Sequence, residues 1–189
     1  MVIGVDPGSR DGAIVVLDRD GKTVWDWAVW WTIGKPTHAR VRARYGWRPG
    51  DFKLRHLSDV ARPFVGIQES YVLAIEGLRA YPGRSNHQAL LRLAYAAGQV
   101  GGVLEAGAME VLRPLAVDWR RTVLGLAPKV SAKACEARAV EMAPRLFVWP
   151  GGFPGSLRDG PGGLRADARG ALAEAACIAR YAAVTRGRG

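Results

Sequence analysis

Two short apolar runs in this chain each end in a carboxylate, and that pairing constrains the fold more than any other feature. Met1-Val2-Ile3-Gly4-Val5 runs into Asp6, then a Pro7-Gly8 turn and a second apolar run from Ala13 to Leu17. Tyr71-Val72-Leu73-Ala74-Ile75 runs into Glu76 in the same way. Apolar runs of this length, bounded by turn residues, read as buried strands. A carboxylate at the tip of such a strand is costly unless something positive meets it. Two such tips imply an acidic metal site on one edge of a sheet.

The rest of the chain supplies the sheet and its cover. Residues 2–6, 12–18 and 23–30 read as three strands, with Asp18-Arg19-Asp20-Gly21 turning the second into the third as a hairpin. Residues 31–51 are crowded with Arg, Gly, Pro and aromatics and read as a long exposed loop or insertion. Leu54, Leu57, Val60 and Phe64 space a helix over 53–67, and 71–76 make a fourth strand. Ser85 or Asn86 can cap a helix that runs to about residue 106, and Met109 to Leu112 make a fifth strand. Val117 to Val123 form a short helix or turn, and Lys129 to Ala143 are amphipathic. A glycine-rich loop over 150–163 leads into an Ala-rich helix from Ala166 to Val184. Three antiparallel strands followed by alternating helix and strand predict an α/β fold: a five-stranded mixed sheet flanked by helices, in one domain over 1–189.

The 189 residues are 49% hydrophobic, enough for one sizeable core. No apolar run approaches the roughly 18 residues of a membrane span, and no signal peptide opens the chain, so a soluble, cytoplasmic protein is expected. Cys135 and Cys177 lack zinc spacing and read as small core or surface residues. The net charge of +10 favours a polyanionic partner such as nucleic acid. With 22 Arg against 5 Lys, the excess cation is of the kind that grips phosphate bidentately, although an Arg-preferring source would give the same ratio.

In the last helix Asp167 and Glu174 lie seven residues apart, on one face about two turns apart. With Asp6 and Glu76 they make four carboxylates from three elements. Hard oxygen donors of this kind suit Mg²⁺ or Mn²⁺. Two such ions about 4 Å apart can activate water and stabilise a leaving oxygen in phosphodiester cleavage. Singly, each acid has a plainer reading: Asp6 as a turn residue, Asp167 as a helix-dipole acid, Glu174 as a solvated side chain. His38, His56 and His87 are too scattered for a metal site, and Ser9 and Ser131 lack a companion base.

Ile3-Gly4-Val5-Asp6-Pro7-Gly8-Ser9-Arg10, Leu73-Ala74-Ile75-Glu76, and Arg165-Ala166-Asp167-Ala168 followed by Ala171-Leu172-Ala173 together resemble the RuvC family of Holliday junction resolvases, within the RNase H-like superfamily. The resemblance spans nearly the whole chain, including the helix with Ala97-Gly98-Gln99-Val100. It implies an RNase H-like fold and a homodimer that nicks two opposing strands of a four-way DNA junction symmetrically, using Mg²⁺. Two ions are implied, with Mn²⁺ able to substitute. Asp6 would bridge them, with Glu76 and Asp167 as flanking ligands and Glu174 as a ligand or a group just behind one. The family expects an Asp three residues after its third ligand, where Gly170 stands. Glu174 is the nearest substitute, or else Glu174 itself aligns with the last ligand and Asp167 is displaced by insertion. That departure, with the Trp- and Arg-rich 25–49 region, points to a divergent branch, with a bacteriophage as a candidate source.

The resemblance also implies DNA contacts. Lys129, Lys133 and Arg138 lie where the family carries basic residues, and Lys133 would neutralise phosphate charge in the transition state. Arg10, Arg79 and Arg84 are further phosphate candidates. Tyr81 is the candidate aromatic that wedges into the junction, since a ring can stack on an unpaired base. The expected partner is branched double-stranded DNA, with no membrane and no nucleotide cofactor. Three readings compete: an RNase H-like nuclease on other branched DNA or on RNA–DNA hybrid; a non-catalytic junction-binding protein, favoured by Gly170; and an actin-like ATPase, suggested by the first hairpin alone. The last needs a second phosphate motif that the chain lacks.

Overall fold

The computed structural model describes residues 1–8, 10–33, 40–46, 51–65, 70–78, 87–156 and 164–187. Seven strands form one sheet: β1 (Val2–Asp6), β2 (Asp11–Leu17), β3 (Val24–Ile33), β4 (Arg40–Tyr45), β5 (Phe52–Leu54), β6 (Tyr71–Ile75) and β7 (Ala108–Leu112). Their order is β5-β4-β3-β2-β1-β6-β7. β1 to β5 run antiparallel to their neighbours, whereas β6 is parallel to β1 and β7 parallel to β6. Among the described residues there are also five helices: α1 (Ser58–Val65), α2 (His87–Glu105), α3 (Ala116–Leu124), α4 (Ala132–Leu146) and α5 (Ala166–Arg186). Among the described residues, no helix is long and apolar enough to cross a membrane.

The sheet has seven strands, not five. Part of the 31–51 stretch expected as an exposed loop is strand β4, and the expected 53–67 helix yields its first residues to β5. The reason lies in alternation. Val41, Ala43 and Tyr45 are buried, while Arg42 and Arg44 between them point the other way. Phe52 and Leu54 continue that buried side through pairing with Ala43 and Val41. Tyr45 packs against both Phe52 and Phe64 and donates its hydroxyl to the Val60 carbonyl at 3.3 Å, tying the added strands to α1.

The side-chain period of two splits the core between the two faces. Ile3, Val5, Leu73 and Ile75 pack with α1 and α2, while Val2, Val72 and Ala74 pack with α3, α4 and α5. Asp6 and Glu76 therefore fall on the face of α3, α4 and α5. α5 lies on that face at very short range. A Cβ at Gly4 would sit 2.6 Å from the Ala179 nitrogen and 2.7 Å from its Cβ, and closer still to the Ala175 carbonyl. Glycine on the strand and alanine on the helix are what allow the approach. α3 ends on Gly125 in the left-handed conformation (φ +66°), whose N–H returns to the Arg121 carbonyl at 3.1 Å. α4 starts on Ser131, whose hydroxyl accepts from the Ala134 N–H, so this serine is a helix cap.

Candidate metal centre

Asp6 and Glu76 are neighbours because β1 and β6 run parallel in register, with Val5 beside Ile75. The Glu76 N–H donates to the Val5 carbonyl at 3.1 Å and holds the two tips together. Close packing of α5 on β1 brings Glu174 to the same place. Just beyond β6, Gly77 bridges to Leu115, and its N–H donates to the Pro114 carbonyl at 2.7 Å. That tie swings the start of α3 over the strand tips. The Trp119 indole N–H then donates to Glu76 Oε1 at 3.2 Å, and Arg120 Nη2 donates to Glu174 Oε1 at 3.4 Å. The Arg120 guanidinium stacks on Trp119, with its carbon 5.0 Å from the ring centroid, while its buried Nε has no partner.

The electrostatics follow from crowding. Burial, then the charges of Glu174 and Glu76, hold the Asp6 carboxyl well above the usual range despite Arg120. Burial raises Glu76, against the pull of Arg120 and Trp119. Burial raises Glu174 to about 7, with Glu76 and Glu136 adding to it and Arg120 opposing. Glu136, on α4, is raised by burial and by Asp167.

Asp167 stands apart from the inner three. It is exposed in the first turn of α5, with Arg165 Nη2 3.9 Å from its carboxylate. Seven residues of helix put it about 10 Å along the axis from Glu174. Its charge acts on Asp11 and Glu136. Lys133 lies one turn before Glu136 on α4 and draws its carboxyl down, against burial. Lys129 is exposed ahead of that helix. Arg138 pairs with Glu141 at 2.8 Å, so its charge is engaged within α4. Arg10 lines a groove of about 750 Å³ with Arg55, Arg92 and Arg165, and of the candidate acids Asp167 lies on its wall. Arg79, Tyr81 and Arg84 lie outside the described residues, as do Ser9 and His38. Trp119, Arg120 and Glu136 escaped sequence reasoning. The first two depend on the tie at Gly77, which leaves no local signature, and Glu136 depends on what faces it from α5.

As they stand, no three acidic, imidazole or thiol groups among the described residues are grouped to hold an ion. The donor chemistry nonetheless fits a divalent cation. Asp6, Glu76 and Glu174 are hard oxygen donors whose mutual repulsion is met only in part by Arg120, itself with an unpartnered nitrogen. Glu76 meets Trp119 and Glu174 meets Arg120 through Oε1, which leaves Oε2 of each for a cation.

A pH dependence follows. Carboxyls whose folded pKa is raised hold protons that the unfolded chain has lost, so folded stability is full below about 4.5 and falls as pH rises through about 7. For Glu174 alone this amounts to at most about 3 kcal/mol, or roughly 5–10 °C in a chain of this size. Thermal melts in chelator should give a lower Tm at pH 8 than at pH 5. The gap should shrink in Glu174→Gln and on adding Mg²⁺ at pH 8; a gap unchanged in the variant would contradict this origin.

A mixed sheet with acidic strand tips beneath a helix defines the class of site. No family model matches the chain, and no curated protein matches its sequence. Among solved structures the chain is similar to RuvC of Thermus thermophilus, at 16% identity and a TM-score of 0.46 over 100% of this chain and 97% of that one. It is similar also to T. thermophilus RuvC in complex with a Holliday junction substrate, at 15% identity and a TM-score of 0.48 over 99% and 96%.

Proposed function

We propose that this chain is a metal-dependent, structure-specific endonuclease that resolves four-way DNA junctions by paired nicks. The observation that carries the reading is the convergence of the charges of Asp6, Glu76 and Glu174, from two strand tips and a helix, with an arginine-lined groove that reaches the outer acid Asp167. When bound, Mg²⁺ or Mn²⁺ supplies a water of lowered pKa and positive charge for the leaving oxygen. Asp6 takes the central position, with Glu76 and Glu174 flanking it and Asp167 at the outer end. Burial of Asp6, Glu76 and Glu174 keeps bulk water from screening their charges. Lys133 offers its ammonium to the phosphate from the outer side. Arg10, Arg55, Arg92 and Arg165 hold the backbone of an entering strand, in keeping with the net charge of +10.

Paired nicks need two copies of the site. On α2, Gly101 packs on Ile75, whereas Gly98 and Gly102 face open space in line with exposed Leu91 and Tyr95. That outer stripe is the face we assign to the homodimer, with Leu91 and Tyr95 standing where it borders the arginine-lined groove.

The test is cleavage of a labelled four-way junction against linear duplex, a flap and an RNA–DNA hybrid, with and without Mg²⁺. Paired symmetric nicks confined to the junction and dependent on Mg²⁺ are expected. Preferred cutting of flap or hybrid would move the reading to another RNase H-like nuclease. One observation favours a second reading, a junction binder without catalysis: Arg120 already gives the acids a positive partner. Tight junction binding with no nicks in Mg²⁺ or Mn²⁺ would establish that instead.

A further inference from the structure

The inner acids and Asp167 are separated along α5 by Gly170, and what fills the space above that glycine is a carboxylate from another helix. A Cβ at Gly170 would lie 2.5 Å from Glu136 Cγ and 2.6 Å from Cδ, and closer still to Oε1. Glu136 thus lies against the bare backbone of α5, a position that any side chain at 170 would deny it. The rest of its surroundings do not explain why it is there. Among the described residues its carboxylate has no hydrogen bond and no ion pair, although it is only partly exposed and Lys133 is one turn away. A flexible acid left half-buried and unpaired is unfavourable unless it meets a cation. Its charge reaches inward to Asp6 and Glu174 and feels Asp167 outward, so it is the acid that joins the two groups.

We infer that Glu136, reaching across Gly170, is a ligand of the metal at this site, so that α4 supplies the carboxylate that α5 lacks between Asp167 and Glu174. The inference rests on the metal-dependent reading above and adds a ligand to it. Gly170 becomes a positioning residue, since its lack of a side chain is what admits Glu136.

The test is Mn²⁺ binding to the full chain at pH 8 without DNA, read by the paramagnetic signal of free Mn²⁺. Glu136→Gln, close in shape, should weaken binding about tenfold or more. Glu136→Asp keeps the charge but shortens the reach, and should show a similar loss. Gly170→Ala should weaken binding in the wild-type background and change nothing further in Glu136→Gln, a coupling that separates displacement of Glu136 from general damage. Wild-type affinity in Glu136→Asp alongside loss in Glu136→Gln would mean that Glu136 acts through charge alone, and the ligand assignment falls. Wild-type affinity in Glu136→Gln alongside loss in Asp6→Asn would also remove Glu136 while leaving the metal centre. No binding by the wild-type chain would remove both.

Discussion

Asp6→Asn is expected to abolish nicking while making the metal-free protein more stable. Asp6 is the acid on which burial and the charges of Glu174, Glu76 and Glu136 all bear. Replacing it with a neutral amide removes a buried carboxyl that its acidic neighbours disfavour, so Tm in chelator should rise by several degrees. The same change removes the central oxygen donor. Loss of metal-assisted charge stabilisation is worth several kcal/mol, so cleavage should fall by about a thousandfold or more. The opposite signs are the diagnostic. A residue serving only the fold would lose stability along with activity. A variant that stays active, or that melts lower than wild type in chelator, would take Asp6 out of the site. Melting and junction cleavage on the same preparation decide the matter.

Gly4→Ala is expected to be strongly destabilising for the addition of a single methyl. The added carbon would meet backbone atoms of Ala175 and Ala179, which no rotamer change can move aside. Relief requires α5 to lift off β1, taking its buried face with it. Overpacking against backbone costs roughly 3 kcal/mol or more, a large share of the 5–15 kcal/mol that holds such a protein folded. A fall in Tm of about 10 °C is expected, with Gly4→Val worse. Gly187→Ala, where a Cβ meets nothing nearer than 3.7 Å, should show no loss. Because α5 also carries Glu174, Gly4→Ala protein that still folds should bind Mn²⁺ more weakly. Equal stability of the Gly4 and Gly187 variants would mean that helix and strand are not in such close contact.

The frame of this molecule was readable because it rests on local pattern. The run into Asp6 and the run into Glu76 marked both strands and put an acid at the tip of each. The Ala-rich stretch fixed α5, and its seven-residue spacing correctly put Asp167 and Glu174 on one helix, although the helix carries them to opposite ends of the acidic strip. β4 went unread because an alternation of only three apolar residues, Val41, Ala43 and Tyr45, is masked by the Arg, Gly and Pro around it. Arg120 and Glu136 were invisible for a different reason. Each acquires its meaning from a partner far along the chain, Glu174 for one and Gly170 for the other, and from helix packing that leaves no periodic trace.

The contact between Gly170 and Glu136 also bears on how such a chain can change over time. The two positions cannot be occupied independently, since a side chain on α5 and the long acid on α4 claim the same volume. A lineage that gained an acid at 170 would have to shorten residue 136 with it, and one that kept the glycine is free to keep the glutamate. The same negative charge can thus migrate between two helices through a pair of substitutions, with neither step tolerated well alone. Divergence at this pair should therefore proceed as a linked exchange, and a chain read one position at a time would look as though it had lost an acid that it had only moved.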